Sequence, residues 1–189
     1  MVINDLFPKS AVHLLILPRD PKKNVMRGQE AFDEDPQFLE SCRTELKKVK
    51  SIVASELSRR FGHLSASERA RNAALESQEV DGALPPGRDW EKDVVSGTHA
   101  NPSMNHLHIH VMSPDLTGDC MKKRNHYLSF TTDFLIGLEE YPLPRQDHRR
   151  AYRHFPAEMR CWRCGRNFGD RMAALKRHLE QELEEWVRE

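Results

Sequence analysis

The segment His106-Leu107-His108-Ile109-His110-Val111 alternates histidine with an aliphatic residue. In an extended chain, this alternation places the three imidazoles on one face and the aliphatic side chains on the other. It therefore predicts a strand over residues 105–113 with one apolar face and one histidine face. Because the ordinary pKa of an imidazole lies near neutrality, one ring can act as a nucleophile while its neighbours donate to an anion.

The loop before this strand adds groups that suit a phosphate. Residues 97–104 carry a fourth histidine, His99, the hydroxyl of Ser103, and backbone N–H groups as far as Met104. Together with the histidine row they would form a phosphate-binding floor with an embedded base. Two other interpretations stay open at this point. The histidines can be structural, or they can bind a catalytic zinc ion, and a zinc ion there would give two metal ions per chain.

The rest of the N-terminal region predicts an α+β fold, an antiparallel sheet with a helix packed on it. An apolar run over residues 10–17 predicts a buried strand. Pro36 follows the candidate cap Asp35, and apolar residues recur at three- and four-residue spacing as far as Gly62, which predicts a long helix. Residues 65–93 predict a helical stretch followed by a mobile insertion loop, with little chemistry expected there. Residues 126–132 predict another strand.

Composition limits the class of protein. The 189 residues include 29 basic and 29 acidic side chains, yet ten basic and only three acidic ones lie between Arg145 and Arg177. A basic block is compatible with a nucleic-acid partner or with an ordinary solvated face. No apolar run approaches the ~20 residues of a membrane helix, and no secretory signal is evident, so we expect an intracellular protein with no membrane partner.

A small metal module is predicted at the C-terminus. Four residues have the spacing and chemistry of zinc ligands: Cys161, Cys164, His178 and Glu182. We expect one structural zinc ion per chain in a ββα-like finger over 159–189, with Phe168, Leu175, Leu179 and Leu183 as its core. Residues 141–158 are a predicted linker that separates the finger from a catalytic domain over 1–140.

Basic side chains from both parts of the chain predict a surface that follows a phosphate backbone. Those assigned to DNA binding are Lys122, Lys123, Arg124, Arg163 and Arg166. Trp162 either stacks on a base or belongs to the core of the finger.

Several motifs resemble the histidine-triad superfamily of nucleotide hydrolases and transferases. The triad itself is one, and the strand and turn from Asp5 through Lys9 and His13 to Pro18 is another. Residues 102–104, residues 120–130 and the C-terminal finger are similar to the aprataxin family, the DNA-repair branch of that superfamily, in its fungal type. The resemblance implies a histidine-triad domain joined to a zinc finger in a nuclear protein, and we expect a monomer.

The resemblance also implies roles for individual residues. His108 would attack the α-phosphorus of an adenylate and form a covalent AMP-histidine intermediate, which water then hydrolyses. His106 and His110 would orient it and stabilise charge, and His99 would be the acid for the leaving 5′-phosphate. The implied nucleotide- and phosphate-binding residues are Asp5, Lys9, His13, Ser103 and Met104. Relatives carry a further N-terminal helix and hairpin over the adenine, so no adenine-stacking residue is assigned here.

The function implied is a phosphoanhydride hydrolase that releases AMP from 5′-adenylated DNA ends after abortive ligation, and whether RNA–DNA junctions are also substrates stays open. Two alternatives stay open. One is a hydrolase of small nucleotides such as adenosine phosphoramidate or dinucleoside polyphosphates. The other is an inactive zinc-finger protein that binds DNA.

Overall fold

The structure is a computed structural model that describes residues 1–77, 83–104, 106–152 and 154–189. Five strands form an antiparallel sheet: β1 (Val2–Asn4), β2 (His13–Ile16), β3 (Val95–His99), β4 (Ile109–Met112) and β5 (Leu135–Ile136). Their order across the sheet is β1-β2-β4-β3-β5. The strand β4 is therefore central, with β2 and β3 on either side of it, and this places the residues of three strands beside one another.

Helices surround this sheet and extend to the C-terminus. They are α1 (Pro21–Asn24), α2 (Gly28–Glu34), α3 (Pro36–Phe61), α4 (Ala66–Glu76), α5 (Arg124–Thr131) and α6 (Met172–Arg188). The predicted long helix is α3, and the Asp35 carboxylate caps it by accepting from the N–H of Phe38 at 2.9 Å. Its buried face includes Val49, Val53 and Leu57, which pack in the same core as Val111 of the central strand. The predicted α+β class is confirmed. Within the described residues, no helix has the length and apolar character needed to cross a bilayer.

The C-terminal region has the predicted ββα arrangement. Strands β6 (Met159–Arg160) and β7 (Asn167–Gly169) pair antiparallel and precede α6. The finger shares its core with α5, because Phe168, Leu175 and Leu179 belong to the same buried cluster as Tyr127. The Tyr127 hydroxyl also donates to the Arg160 carbonyl and accepts from the Trp162 N–H, both at 2.9 Å. The finger is therefore docked against helix α5. Trp162 packs against two hydrophobic clusters, the sheet-side core that contains Val111 and the finger core that contains Phe168. Leu183, predicted to belong to the finger core, packs against the sheet-side core instead.

The strand predicted over residues 126–132 is wrong, because residues 126–131 lie within helix α5 and Thr132 is the residue after its end. Tyr and Phe favour strands, and seven residues are too few to show a helical period. Tyr127 and Leu128 are buried in the finger core, while Phe130 contacts the rings of His13, His99 and His110. Helix α5 is covered on two sides, so it lacks the wide solvent-exposed face by which a surface helix is recognised.

Two predicted strands are shorter than expected. Residues 10–17 contribute only His13–Ile16 to the sheet, because the N–H groups of Ala11 and Val12 bond to the side chains of Asp115 and Ser113. Of the strand predicted over 105–113, only Ile109–Met112 is in the sheet, and Asn105 lies outside the described residues. The Leu107 N–H donates instead to Asn24 at the end of α1.

The predicted insertion and linker both pack on the core. The insertion over 65–93 begins with α4, as expected, and ends in a 3-10 turn that buries Trp90. The loop predicted to be mobile includes residues 78–82, which lie outside the described residues. In the predicted linker over 141–158, Tyr141 and Leu143 are buried in the sheet-side core. The domain boundaries stay a prediction, but this segment is attached to the core, because Tyr152 and Phe155 also pack against it.

Candidate active site and metal centre

Four histidines from three neighbouring strands converge on one side of the sheet. His13 lies on β2 and His99 at the end of β3, while His108 immediately precedes β4 and His110 lies within it. The ring centroid of His110 is 5.1 Å from that of His13, 4.5 Å from that of His99 and 4.7 Å from that of His108. Strand pairing therefore gathers residues that are far apart in the sequence.

Hydrogen bonds to the rings determine which nitrogens face outward. His108 Nδ1 lies 2.7 Å from the carbonyl oxygen of His106, so Nδ1 holds the proton and Nε2 holds a lone pair. The Lys9 N–H donates to His13 Nδ1 at 3.1 Å, so His13 Nε2 donates in turn to His110 Nδ1 at 2.9 Å. His110 Nε2 is then the protonated nitrogen of its ring. Nε2 of both His110 and His99 is buried without a hydrogen-bond partner among the described residues, which suits both atoms to a ligand.

Burial keeps three of these rings uncharged. Desolvation lowers the pKa of His13 to about 4 and that of His99 to about 3, and it lowers the pKa of His110 well below its ordinary value. The Asp5 carboxylate, 3.5 Å from His13 Nδ1, acts against this effect on His13. An acid role for His99 therefore requires the charge of a bound diphosphate, since a nearby anion raises the pKa of an imidazole.

A cavity of about 680 Å³ opens over the histidines. Nine of the predicted site residues line it: Asp5, Lys9, His99, Ser103, Met104, His108, His110, Lys122 and Lys123. His13 stands behind His110 and away from this cavity wall. The ring of His106 is exposed and does not line the cavity, so the expectation of three imidazoles on one face fails for His106. The backbone carbonyl of His106, and not its imidazole, contacts His108.

The sequence prediction missed one wall of the cavity. Helix α5 contributes Asn125, His126, Ser129 and Phe130, whose spacing places them on one helical face. That spacing is a usable signal, but it was hidden because the segment was predicted to be a strand. Phe134 and Phe155 also line the cavity, and no local pattern marks either of them.

The loop that carries Lys9 is held by residues that follow β4. The buried Asp115 carboxylate accepts from the Ala11 N–H at 3.0 Å and from the Thr117 N–H at 3.1 Å. The Gly118 N–H donates to the Lys9 carbonyl at 3.0 Å. A Cβ at Gly118 would lie 2.6 Å from the Lys9 carbonyl carbon, so this approach needs glycine. These contacts place the Lys9 loop beside the histidines.

The four predicted zinc ligands meet at one point. One ligand atom from each of Cys161, Cys164, His178 and Glu182 lies within 4.8 Å of the other three. His178 Nε2 is 3.1 Å from both Cys164 Sγ and Glu182 Oε1. Two thiols, an imidazole and a carboxylate are a donor set that zinc accepts, and His178 and Glu182 reach the site because they are one turn apart on α6. The residues therefore fit a structural zinc ion, which would tie α6 to the turn between β6 and β7.

The basic residues predicted to bind DNA have different surroundings. Lys122, Lys123 and Arg166 are exposed, and the guanidinium of Arg166 lies over the Phe168 ring. Arg124 donates to the Pro156 carbonyl. Arg163 bonds Glu182 Oε2 at 2.6 Å and also the Glu189 carboxylate, and this contact lowers the pKa of Glu182. Arg163 is thus engaged at the metal centre.

Two family models match separate parts of the chain. Residues 131–185 match the C2HE / C2H2 / C2HC zinc-binding finger, and residues 69–126 match the C-terminal binding domain of the scavenger mRNA decapping enzyme. The first match contains all four candidate zinc ligands. The second contains His99, His108 and His110.

Similar proteins match nearly the whole chain. An aprataxin-like protein of Schizosaccharomyces pombe is 31% identical over 187 residues, which span 99% of this chain and 72% of that protein. An aprataxin-like protein of Saccharomyces cerevisiae is 31% identical over 189 residues, spanning 96% and 83%. The crystal structure of the aprataxin ortholog Hnt3 from S. pombe superposes with a TM-score of 0.76 at 26% identity, covering 98% of this chain and 82% of that chain. A structure of Hnt3 in complex with DNA and guanosine gives a TM-score of 0.72, at 26% identity and with 98% and 84% coverage. The histidine site, the finger and these matches together show that the chain belongs to the aprataxin family, a zinc-finger branch of the histidine-triad superfamily.

Proposed function

We propose that this protein removes AMP from 5′-adenylated nucleic-acid ends through a covalent histidine–AMP intermediate. The observation that carries the proposal is the state of His108, whose Nδ1 donates to the His106 carbonyl so that Nε2 presents a lone pair to the cavity. Membership of the aprataxin family, and the complex of Hnt3 with DNA and guanosine, support a nucleic-acid substrate.

The first step is a displacement at the α-phosphorus of the adenylate. His108 Nε2 forms a bond to phosphorus, and the bond from phosphorus to the bridging oxygen of the 5′-5′ pyrophosphate breaks. The electron pair leaves with that oxygen, which frees a 5′-phosphate end. Because Nδ1 keeps its proton, the ring becomes positively charged, and the His106 carbonyl at 2.7 Å stabilises this charge.

The second step restores the enzyme. Water attacks the phosphorus, the bond from phosphorus to Nε2 breaks, and its electron pair returns to the ring. The oxygen of water stays on AMP with one of its protons, and the other proton passes to solvent, so each cycle consumes one water molecule and releases AMP.

Groups around His108 would hold the phosphates. The His110 Nε2–H donates to a phosphoryl oxygen, and Lys9, Ser103 and Met104 line the cavity beside it. The Asp5 carboxylate accepts from the ribose hydroxyls of AMP. His13 acts behind this layer by fixing the tautomer of His110 through their 2.9 Å contact. His99 faces the 5′-phosphate that leaves.

The DNA strand would leave the cavity along exposed basic residues. Lys122 and Lys123 lie on the cavity wall, and Arg166 is exposed on the finger. Contacts of this kind neutralise phosphates and carry no base sequence. We further propose a monomer that acts in the nucleus, with RNA–DNA junctions among its substrates.

The test is AMP release from a nicked duplex with a 5′-adenylate, beside an equal concentration of adenosine phosphoramidate. We expect faster release from the duplex, and we expect His108→Ala to lower the rate by about a thousandfold or more. His63→Ala, at an exposed position away from the cavity, is the matched control. Preference for the phosphoramidate would indicate a small-nucleotide hydrolase. No release, with salt-dependent DNA binding that survives His108→Ala, would indicate a binding protein.

A metal count separates a further alternative. Nitrogens of His99, His108 and His110 lie within 4.8 Å of one another and can geometrically hold a metal ion. We expect one zinc ion per chain, at the finger, which Cys161→Ser removes. Two zinc ions in the wild type and one in Cys161→Ser would favour a catalytic metal instead.

A further inference from the structure

One wall of the cavity lies outside residues 1–140, the range that the sequence predicted for the catalytic domain. Phe155 belongs to the segment over 141–158, between the sheet and the finger, and its half-buried ring lines the cavity. Its ring centroid is 4.9 Å from that of Phe134, which also lines the cavity. Phe155 packs against both the sheet-side core and the finger core. The cavity therefore includes an aromatic surface that the proposed chemistry at phosphorus does not use.

Contacts on both sides hold Phe155 in place. Before it, the Arg149 carbonyl accepts from Gln29 Nε2 at 3.0 Å, and the Arg150 guanidinium lies 2.7 Å from the Asp33 carboxylate. After it, the Pro156 carbonyl accepts from Arg124. A ring held by anchors on both sides loses little entropy when a ligand packs on it.

A series of contacts connects Phe155 to His99, the residue proposed to face the leaving phosphate. From Asp5 the contacts run to His13, to His110 and then to His99, whose ring centroid is 5.1 Å from that of Phe134. Phe155 follows Phe134. Asp5, proposed to bind the ribose of AMP, and Phe155 are thus at opposite ends of this chain of contacts, with His99 between them.

We propose that Phe155 receives the first nucleoside of the leaving strand and so selects an adenylated polynucleotide over an adenylate with a small leaving group. This inference rests on the proposed deadenylation. The AMP half of the substrate is the same in both substrate classes, so only a group beyond the leaving phosphate can tell them apart. An aromatic face takes any base, because every base has a π-face, and this suits an enzyme that must act on ends of any sequence.

The position of the ring also fits the path of the strand. A nucleoside on Phe155 would continue toward the finger, since Met159 and Phe168 of the finger belong to a cluster against which Phe155 packs. Exposed Lys122, Lys123 and Arg166 would meet the phosphates that follow. The segment over 141–158 thereby acts as part of the active site, and the finger fixes one end of it.

The experiment compares two substrates across matched variants of the zinc-loaded full chain. The kcat/KM is measured for a 5′-adenylated oligonucleotide and for adenosine phosphoramidate, whose leaving group is ammonia, and the ratio of the two values is the readout. We expect Phe155→Leu to lower this ratio by about five- to a hundredfold, the range that the loss of one stacked base produces. Phe155→Tyr should restore it.

Tyr152→Leu is the control for packing. Tyr152 belongs to the same aromatic group, with its ring centroid 5.1 Å from that of Phe134 and 5.7 Å from that of Phe155, but it does not line the cavity. We expect the ratio of the two kcat/KM values in Tyr152→Leu to stay within about twofold of the wild-type ratio. An equal fall of both kcat/KM values in Phe155→Leu, or an unchanged ratio, would overturn the proposal.

A second measurement keeps the proposal separate from the deadenylation itself. A 5′-phosphorylated oligonucleotide with 5-iodouracil at its first position is photo-crosslinked to the wild type, and the attached peptide is identified by mass spectrometry. Attachment at Phe155 supports the inference even if the wild type releases no AMP from adenylated DNA, which would refute the proposed function alone. Attachment elsewhere, with Phe155 unmodified, would overturn the inference.

Discussion

At the scale of single residues, identical side chains have different chemical roles because their hydrogen-bond partners differ. His108 and His110 are two residues apart, yet His108 bonds a backbone carbonyl through Nδ1 while His110 accepts through Nδ1 from His13. One ring is left with a lone pair and the other with an N–H. The identity of a residue states which chemistry is possible, and its hydrogen-bond partners choose among the possibilities.

Arg163 illustrates the same point at the candidate metal centre, where a residue predicted to contact DNA holds a candidate zinc ligand, Glu182. It bonds Glu182 Oε2 at 2.6 Å and leaves Oε1, which is 3.1 Å from His178 Nε2, for the metal. We expect Arg163→Gln to weaken zinc binding by about 10- to 100-fold, as is typical when the group that orients a ligand is lost. Competition with a chromogenic chelator measures the affinity. Arg166→Gln is the control, because that side chain lies over Phe168. Equal affinities for wild type and Arg163→Gln would contradict this role.

At the scale of elements, α6 is shared between the two parts of the chain. Its first turns hold Leu175 and Leu179 in the finger core, whereas Trp186 near its end is buried in the sheet-side core. The ring of Trp186 contacts Phe61 and Trp90, with centroid distances of 6.2 Å and 5.7 Å. One helix therefore couples the zinc site to the sheet.

Arg88, in the segment predicted as an insertion, strengthens this coupling. Its guanidinium carbon lies 4.1 Å from the Trp90 ring centroid and 4.8 Å from that of Trp186, and it donates to the Trp186 carbonyl. We expect Arg88→Ala to lower the free energy of unfolding by roughly 1–3 kcal/mol, from the loss of two cation–π contacts and buried hydrogen bonds. Urea unfolding of the zinc-loaded chain measures it.

The control for Arg88 is Arg59→Ala. The Arg59 side chain is 70% exposed and pairs with Glu56 on the surface of α3, where such pairs contribute about 0–1 kcal/mol. If Arg88→Ala destabilised the protein no more than Arg59→Ala, the proposed coupling through α6 would be wrong.

At the scale of the whole molecule, the site requires uncharged imidazoles inside a packed core. His13, His99 and His110 all have a pKa lowered by burial, with values of about 4 and about 3 for the first two. The unfolded chain takes up protons at these positions near pH 6.5, but the folded chain does not. Folding is therefore opposed by acid, and the stability present above pH 6.5 is lost progressively as the pH falls toward 4.

Because of this linkage, the free energy of unfolding should fall measurably with pH. Each such histidine should lower the free energy of unfolding by up to ~1.4 kcal/mol per pH unit below 6.5. Urea unfolding at pH 7.5, 6.5 and 5.5 tests this, and His13→Asn should reduce the slope by up to one such increment. His63→Asn, at an exposed position, should keep the wild-type slope. The finger is the same in all three proteins, so its own acid sensitivity cancels in the comparison. Identical slopes for wild type and His13→Asn would contradict the argument.

What the sequence determined by itself was set by local chemistry. Alternating histidines, the capped apolar period of 36–61 and the spacing of Cys161, Cys164, His178 and Glu182 are properties of short segments, and the α+β fold and the assembled zinc ligand set followed from them. Tertiary structure alone decided the rest. It made residues 126–131 part of a helix buried on both sides, left the ring of His106 exposed, engaged Arg163 with Glu182 and brought Phe155 to the cavity. Each of these outcomes depends on partners far away in the chain, and no local period or spacing records such partners.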